Sequence, residues 1–550
     1  MWGRPSGPLP HSSRPVTMRL VDARGFPGSG PADWAAALWA RARAAWVPLA
    51  VGAVLLAGAA VRFWGLGAKS LWFDETYSVF IARQPLAEIP RLLQTYDTHP
   101  PLHYVLLHFW IALFGSGEVA VRVPSVLASL GAILLTFFLG RRLAGDRVGV
   151  LAAALLAVSP FQVMSAQEAR MYPFLTLFGA GASYALWLAL EEGGRRHWIA
   201  YVLFMALALY THHFGFLLVL THGLYLLFSH RSHAAARGWL CAMVGVAAAY
   251  LPLAVMLVWQ FQTAWGWPLI RPPFGIGAVT DALGMFSFGG GLFGMGTYFR
   301  RGALPLEYRA ALLLPFMLLA AYGAAALDSA RKRAFVLGYW LLPVLLTAAV
   351  SLRWNIFYER YFSFVLPAFF VLLAAGILFL AGALPRPGRS AVLTGLLLVL
   401  ASFNLPALVD VYRAAPAYDW RGAARYLTAQ ARPDDFILYV PAFTRIPFEH
   451  YYQGPQARMG LNPKEMLSTH QLAAQGKYKL RTGVEPERVA AIAKSHPRLW
   501  IVATIPIGYE ARMRIAKILD PHFREVDGRT FGQVFVFIWE SRLYGKAARE

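Results

Sequence analysis

Cysteine is all but missing, with one residue, Cys241, in 550. A single thiol excludes an intrachain disulfide framework and any cysteine-built metal centre, and its place inside an apolar block marks it as a small buried side chain. Charge is scarce as well. Only 15% of residues are Asp, Glu, Lys or Arg, against about 25% in an average soluble domain, so one soluble enzyme is excluded. Acids are the scarcer sign: 29 stand against 51 Lys and Arg, a formal net charge of +22. In a soluble chain such an excess suggests nucleic-acid binding. Here the bases flank apolar blocks, where they fix orientation in a membrane, so no nucleic-acid partner is expected.

What the chain has in plenty is apolar sequence: 57% of residues, with a mean hydropathy of +0.47. The apolar residues arrive in blocks of about twenty, the length needed to cross about 30 Å of hydrocarbon as a helix. Eleven such spans are expected, at 46–66, 117–140, 147–163, 171–190, 196–211, 214–229, 238–261, 309–327, 334–351, 361–382 and 390–409. Residues 1–45, rich in Pro, Gly, Ser and Arg without a signal-peptide core, are expected to form a disordered cytoplasmic tail. Alternate connections differ in basic residues: one set holds twelve in 34 residues, the other nine in 105. By the positive-inside rule the denser set is cytoplasmic, so the long loops and the C-terminus face outward. That is the arrangement of a multi-pass protein of a bacterial inner membrane, its N-terminus inside.

Past residue 410 the texture changes. An acidic cap at Asp419 opens an amphipathic helix, FILYVP at 436–441 reads as a strand, and a helix near 488–496, LWIVATIP at 499–506, a helix near 509–520 and VFVFIWE at 534–540 follow. The expected fold is therefore an α-helical polytopic membrane module over 46–410, with a first outer loop at 67–116, and an extracytoplasmic α/β domain over 411–550. The tail carries no G-x-G-x-x-G or P-loop and is expected to cover the site or choose the acceptor without making bonds. The Gly-rich run 288–296 lacks both a preceding strand and a following Lys-Ser/Thr, so it reads as a flexible loop.

Chemistry is concentrated at the outer ends of the spans. The first loop carries LWFDETYS, with Asp74 and Glu75 among aromatics; a carboxylate there serves as a base or metal ligand, or else as an acidic helix cap. Further on, Asp97 and His99 precede a double proline that breaks the chain before an interfacial amphipathic segment, 103–114. The second outer loop holds Glu168, Arg170 and Tyr172. Its two charges either pair with each other or face Asp74 across a cavity. His212 and His213 form the third turn and point apart on a helix, so one at most enters that cavity. Arg353 and Arg360 precede the tenth span, and the planar arginine fork suits a phosphate, though headgroup anchoring explains them equally.

The order of FDETYS, THPPLHY, QEARMY, FYERYFSFVLPA and an external DWRGAARYL resembles the bacterial GT-C glycosyltransferases of family 39. These are relatives of the dolichyl-phosphate-mannose protein mannosyltransferases and of the lipid A aminoarabinose transferase. The resemblance spans about 46–450 and is most specific in the two outer loops. It implies that Asp74 is the first-loop catalytic aspartate with Glu75 as its acidic neighbour, and that Arg170 and Arg360 face the donor phosphate; the residues themselves add Arg353 as a third candidate. Asp97, His99, Glu168, Tyr172 and His212 then line the cavity and acceptor side. The aminoarabinose transferases carry Lys where this chain has His99.

Taken together, residues and resemblance lead to an inverting transfer of a monosaccharide from a polyprenyl-phosphate donor lipid to a hydroxyl of a lipid, glycan or protein, at the outer membrane face. No cofactor is required by this reading, and a divalent metal, if used, falls to Asp74 and Glu168. A transporter or lipid-linked sugar flippase predicts ionisable residues at the midplane and two related halves, and neither is found. A membrane-anchored binding protein leaves the loop motifs unexplained.

Overall fold

The structure, a computed structural model, describes residues 31–96, 99–230, 232–263, 274–289, 305–440, 442–460, 486–504 and 516–545. The chain forms two compact units, Met1–Ala50 and Val51–Glu550. Of the first, the described part is helical: α1 (Pro31–Phe63) begins well before the expected span. Proline suits a first helical turn, and the Ala-rich stretch that follows is a strong helix former. Residues 1–30 of the expected tail lie outside the described residues.

Three short helices, α2 (Phe73–Ala82), α3 (Ile89–Tyr96) and α4 (Leu102–Phe114), fill the connection expected to be the first outer loop. The membrane body follows as α5 (Glu118–Ala144), α6 (Asp146–Val158), α7 (Pro160–Ala166), α8 (Tyr172–Glu191), α9 (Arg195–Thr211), α10 (Gly215–Ser229) and α11 (His233–Thr263). It is completed by α12 (Ile276–Phe288), α13 (Leu306–Ala326), α14 (Ala330–Ser351), a 3-10 segment Glu359–Val365, α15 (Leu366–Gly382) and α16 (Arg386–Arg413). Backbone groups have no water partners in hydrocarbon, so a spanning segment satisfies them within itself as a helix. All eleven expected stretches are helical. Among the described residues eight helices are long and apolar enough to cross a membrane, and a ninth if α6 and α7, bent by 61° at Ser159–Pro160, count as one span. The other two, α9 and α10, have 17 and 15 residues.

The connection expected over 262–307 contains α12, an apolar helix whose buried face packs against α13, α16, α7 and the 3-10 segment. A mostly apolar helix of thirteen residues, its Asp281 paired with Arg309 at 2.7 Å, is too short to be recognised as a span, yet long enough to be buried among other helices. Most of the Gly-rich run lies outside the described residues. Cys241 departs from expectation: it is exposed on α11, because a helix facing lipid presents small apolar side chains outward as readily as inward. Close packing decides other positions. At the crossing of α13 and α15, a Cβ on Gly323 or Gly376 would overlap the facing backbone, so glycine lets the two helices touch.

After α16 the chain builds a five-stranded sheet of order β2-β1-β3-β5-β4, from β1 (Phe436–Val440), β2 (Ala457–Gly460), β3 (Arg498–Thr504), β4 (Phe523–Phe531) and β5 (Val534–Ser541). β2, β1 and β3 are parallel, while β3, β5 and β4 are antiparallel. Helices α17 (Trp420–Gln430) and α18 (Arg445–Tyr451) cover one face, over Ile437, Tyr439, Trp500 and Val536; α19 (Pro486–Ser495) covers the other, over Leu438, Val440, Leu499 and Ile501. Burial on both faces is why β1 and β3 read as unbroken apolar runs. β2, β4 and α18 have no such signal. β4 is an exposed edge with charged residues at Arg524, Glu525, Asp527 and Arg529, a pattern that discourages pairing with another chain. The helix expected near 509–520 lies largely outside the described residues.

Candidate active site

Stretches far apart in sequence meet at the start of α2. Glu75, at the third position of the helix, turns back to accept from the Trp72 N–H at 3.1 Å, which fixes where the helix begins. Consecutive helical residues project about 100° apart, so Asp74 and Glu75 face different surroundings. Glu75 is fully buried. Its Oε1 accepts from Arg122 Nε at 2.7 Å and from the Ala169 N–H at 2.8 Å, and its Oε2 from Arg122 Nη2 at 2.8 Å. Arg122 also donates to the carbonyls of Leu66 and Lys69 at 2.7 and 3.0 Å. Glu75 thus ties α2, the 66–70 turn, α5 and the second outer loop together.

Asp74 faces the other way, with 29% of its side chain exposed. Arg170 lies across from it: Nη2 stands 3.8 Å from Asp74 Oδ2, while Nη1 donates to the Asp74 carbonyl at 3.2 Å and to Ser78 Oγ at 3.1 Å. At 3.8 Å the charges attract without a hydrogen bond, so the Asp74 carboxylate keeps lone pairs for another donor. Arg360, on the 3-10 segment, donates through Nη1 to Glu168 Oε2 at 2.6 Å, and its guanidinium sits 5.1 Å from the Trp72 ring centroid. Glu168 and Arg170 therefore do not form the mutual ion pair that their spacing allowed. The tight turn, in which the Arg170 N–H donates to the Glu168 carbonyl at 2.8 Å, sends their side chains to different partners. Burial pushes the Glu168 carboxyl above its ordinary value; Arg360 pulls it down, and Glu75 and Asp74 add to the upward push.

Around these charges lies a ring of aromatics. Tyr361 centres 4.6 Å from His212, 6.4 Å from His99 and 6.2 Å from Tyr172, and the His99 and His212 rings are 5.3 Å apart. His213 diverges, meeting Gln260 Oε1 at 2.9 Å. His99, Glu168, Arg170, Tyr172, His212 and Arg360 thus gather with Asp74, while Asp97 lies outside the described residues. Arg353 is exposed, its guanidinium 5.7 Å from the Trp354 ring, and pairs with none of the acids among the described residues. Missed by sequence reading were Arg122, Trp72 as the partner of Arg360, Tyr361, and Lys69. Arg122 had a signal, a charge inside an apolar span. Lys69 had none: its Nζ donates to the Val411 carbonyl at 2.6 Å, and burial beside Arg122 lowers its pKa.

The C-terminal domain closes over the same loop. Ser70 Oγ donates to the Tyr418 carbonyl at 2.7 Å, the Leu71 N–H to Tyr451 Oη at 2.7 Å, and Arg421 to the Ala68 carbonyl at 2.7 Å, while the Phe73 and Phe443 rings are 5.3 Å apart. Among the described residues no three His, Cys, Asp or Glu side chains converge as metal ligands. A divalent ion on Asp74 and Glu168 would need substrate or water oxygens to complete its shell.

An apolar helical body thus brings carboxylates and arginines of two of its connections together under a small α/β domain, an arrangement of the GT-C fold. In part of its sequence the chain is similar to protein mannosyltransferases and aminoarabinose transferases. Residues 98–259 match the family model described as dolichyl-phosphate-mannose-protein mannosyltransferase. The undecaprenyl phosphate-alpha-4-amino-4-deoxy-L-arabinose arabinosyl transferase of Pseudomonas paraeruginosa is 36% identical over 103 residues, 18% of this chain and 19% of that protein. Its counterpart from Edwardsiella ictaluri is 33% identical over 138 residues, 24% and 25% of the two chains. The matched stretches thus span about a fifth to a quarter of these relatives. Likeness of fold extends further. ArnT from Cupriavidus metallidurans, in a crystal structure bound to undecaprenyl phosphate, superposes over 91% of this chain and 99% of its own with a TM-score of 0.54 at 16% identity. The Archaeoglobus fulgidus oligosaccharyltransferase does so over 90% and 74%, with a TM-score of 0.56 at 13% identity.

Proposed function

We propose that this protein is an inverting glycosyltransferase of the outer face of a bacterial inner membrane, taking a monosaccharide from a polyprenyl-phosphate donor to a hydroxyl of an envelope lipid, glycan or protein. The observation that carries the reading is the partly exposed Asp74 carboxylate beside Arg170, in one cluster with Arg360, Glu168 and the aromatic ring. A lipid-borne donor needs a site at the membrane surface, its anionic leaving group needs fixed cations, and a hydroxyl acceptor needs a base. Asp74 takes the proton of the acceptor hydroxyl as its oxygen attacks the anomeric carbon. The sugar-to-phosphate C–O bond breaks with inversion, and polyprenyl phosphate leaves with the electron pair, steadied by Arg360 and Arg170. Glu75, committed on both oxygens, positions the loop that carries Asp74. The matched relatives, named as acting on an undecaprenyl-phosphate sugar, support the donor class. The outward orientation rests on the asymmetry of basic residues between alternate connections.

The test is sugar transfer by purified protein from a polyprenyl-phosphate sugar. Asp74→Asn keeps the shape and removes the base, and is expected to lower kcat by about a hundredfold or more, the span of general-base catalysis, with unchanged thermal stability. Wild-type turnover in a folded Asp74→Asn protein would sink the assignment.

A further inference from the structure

Arg62, near the end of α1, is fully buried, and its four hydrogen bonds end on neutral oxygens. Nε donates to Ser129 Oγ at 2.8 Å, Nη1 to the carbonyls of Gly58 at 3.0 Å and Ala157 at 2.7 Å, and Nη2 to that of Leu156 at 3.4 Å. Leu156 and Ala157 belong to the last turn of α6; Pro160 has no N–H to give the Leu156 carbonyl, which accepts only a long bond from the Ser159 N–H at 3.4 Å besides Arg62, and Ala157 lies at the bend itself. The guanidinium therefore caps a broken helix at its 61° bend. Gly58 makes room for it: a Cβ there would come within 3.1 Å of Ile133 Cδ1 and 3.6 Å of Arg62 Nη1.

The cap is returned. Gln167, the residue after α7, donates through Nε2 to the carbonyls of Arg62 at 3.1 Å and Trp64 at 2.7 Å, which belong to the orphan acceptors where α1 ends. The end of α1 and the end of the α6–α7 pair thus satisfy each other's carbonyls. Directly after this joint come Glu168, the partner of Arg360; Ala169, whose N–H lies on Glu75; and Arg170, whose carbonyl accepts from Ser125 Oγ at 3.1 Å and whose side chain faces Asp74.

We propose that Gln167, with Arg62 behind it, is a positioning residue that sets the register of the second outer loop, so that Glu168 meets Arg360 and Arg170 meets Asp74. Its catalytic consequence rests on the transferase reading above; the joint itself does not. Gln167 touches no reacting group. A displacement of about 1 Å at a reacting centre costs on the order of a hundredfold in rate, so a loosened joint is expected to lower kcat.

Two substitutions separate this from a general loss of fold. Gln167→Lys still donates to both carbonyls and adds a positive charge at a helix C-terminus, where it is favoured. Gln167→Glu is nearly the same shape but brings only acceptors to face carbonyl oxygens. In full-length protein, Gln167→Glu is expected to lower kcat by roughly tenfold to a hundredfold, while Gln167→Lys stays near wild type. Hydrogen exchange of the Ala169 amide is expected to quicken in Gln167→Glu alone. Wild-type kcat and exchange in both variants would overturn the proposal. So would a fall in kcat that merely tracks the thermal transition in Gln167→Glu and Gln167→Ala. If the wild-type protein transfers no sugar, the transferase reading fails, and the exchange measurement still decides whether the joint holds the loop.

Discussion

Arg360 is already engaged by Glu168 at 2.6 Å, so a phosphate arriving at its fork competes with a carboxylate. Two substitutions push this competition in opposite directions. Arg360→Lys is expected to weaken donor binding, because an ammonium cannot reproduce a two-point contact; simple headgroup anchoring predicts that Lys serves equally well. Glu168→Gln removes the competitor and is expected to bind a polyprenyl phosphodiester more tightly. The pH dependence gives the sign. Burial raises the Glu168 pKa, so on acidification Glu168 takes up its proton early and frees Arg360. Affinity for the phosphodiester, whose own charge is fixed there, should rise as pH falls from neutral in the wild type and stay flat in Glu168→Gln. Affinities from titrations at several pH values decide it, and equal slopes in the two proteins would mean that Glu168 does not gate Arg360.

At the scale of elements, α2 holds its place because one buried pair joins it to its neighbours. Glu75 and Arg122 are both buried, with side-chain exposures of 0% and 5%, and removing one partner of such a pair strands the other charge. The penalty is about 3–5 kcal/mol. Glu75→Gln is therefore expected to lower the thermal transition sharply, whereas Asp74→Asn leaves it alone. A catalytic role for Glu75 predicts the reverse: lost turnover at unchanged stability. Thermal melts of the two variants in the same detergent tell these outcomes apart. The adjacency of the two acids in sequence hides the difference, since both look like one acidic patch until helical geometry turns them apart.

At the scale of the whole molecule, the C-terminal domain and the membrane body share one surface, and a histidine reports on it. His450, on α18, has its pKa lowered from 6.5 to about 4 by burial and by Arg83, against the pull of Glu118 and Glu75. A depressed folded pKa means that the unfolded chain takes up the proton first. Stability is therefore full above about pH 6.5 and is lost as pH falls towards 4. The thermal transition should drop across that window in the wild type and less steeply in His450→Gln; identical slopes would remove His450 from the account. Orientation is tested separately. Val526, 49% exposed on the edge strand, replaced by Cys in a Cys241→Ser background, should react with an impermeant thiol reagent in intact spheroplasts. Labelling only after lysis would put the domain, and the site beneath it, on the cytoplasmic side.

Local signals sufficed for much of this. Apolar blocks of spanning length, the cap at Asp419 and the both-faces-buried runs of β1 and β3 were legible because each reflects a local rule: hydrocarbon thickness, an orphan amide, a strand covered on two sides. So were the residues that carry charge at span ends, since charge there is costly without a purpose. The partners were not legible. Glu168 goes to Arg360, 192 positions away, and not to Arg170 two positions away; Glu75 goes to Arg122 and Asp74 stays open. Such choices belong to helix ends brought together in space, where a turn aims each side chain and only packing sets what it meets. β2, β4 and α18 escaped for the same reason, being held by neighbours more than by a pattern of their own. The sequence alone determined that a membrane body carries an acid and arginine cluster at one end. Which acid stays open and which is sealed in the frame was decided by the tertiary structure, through burial and long-range pairing.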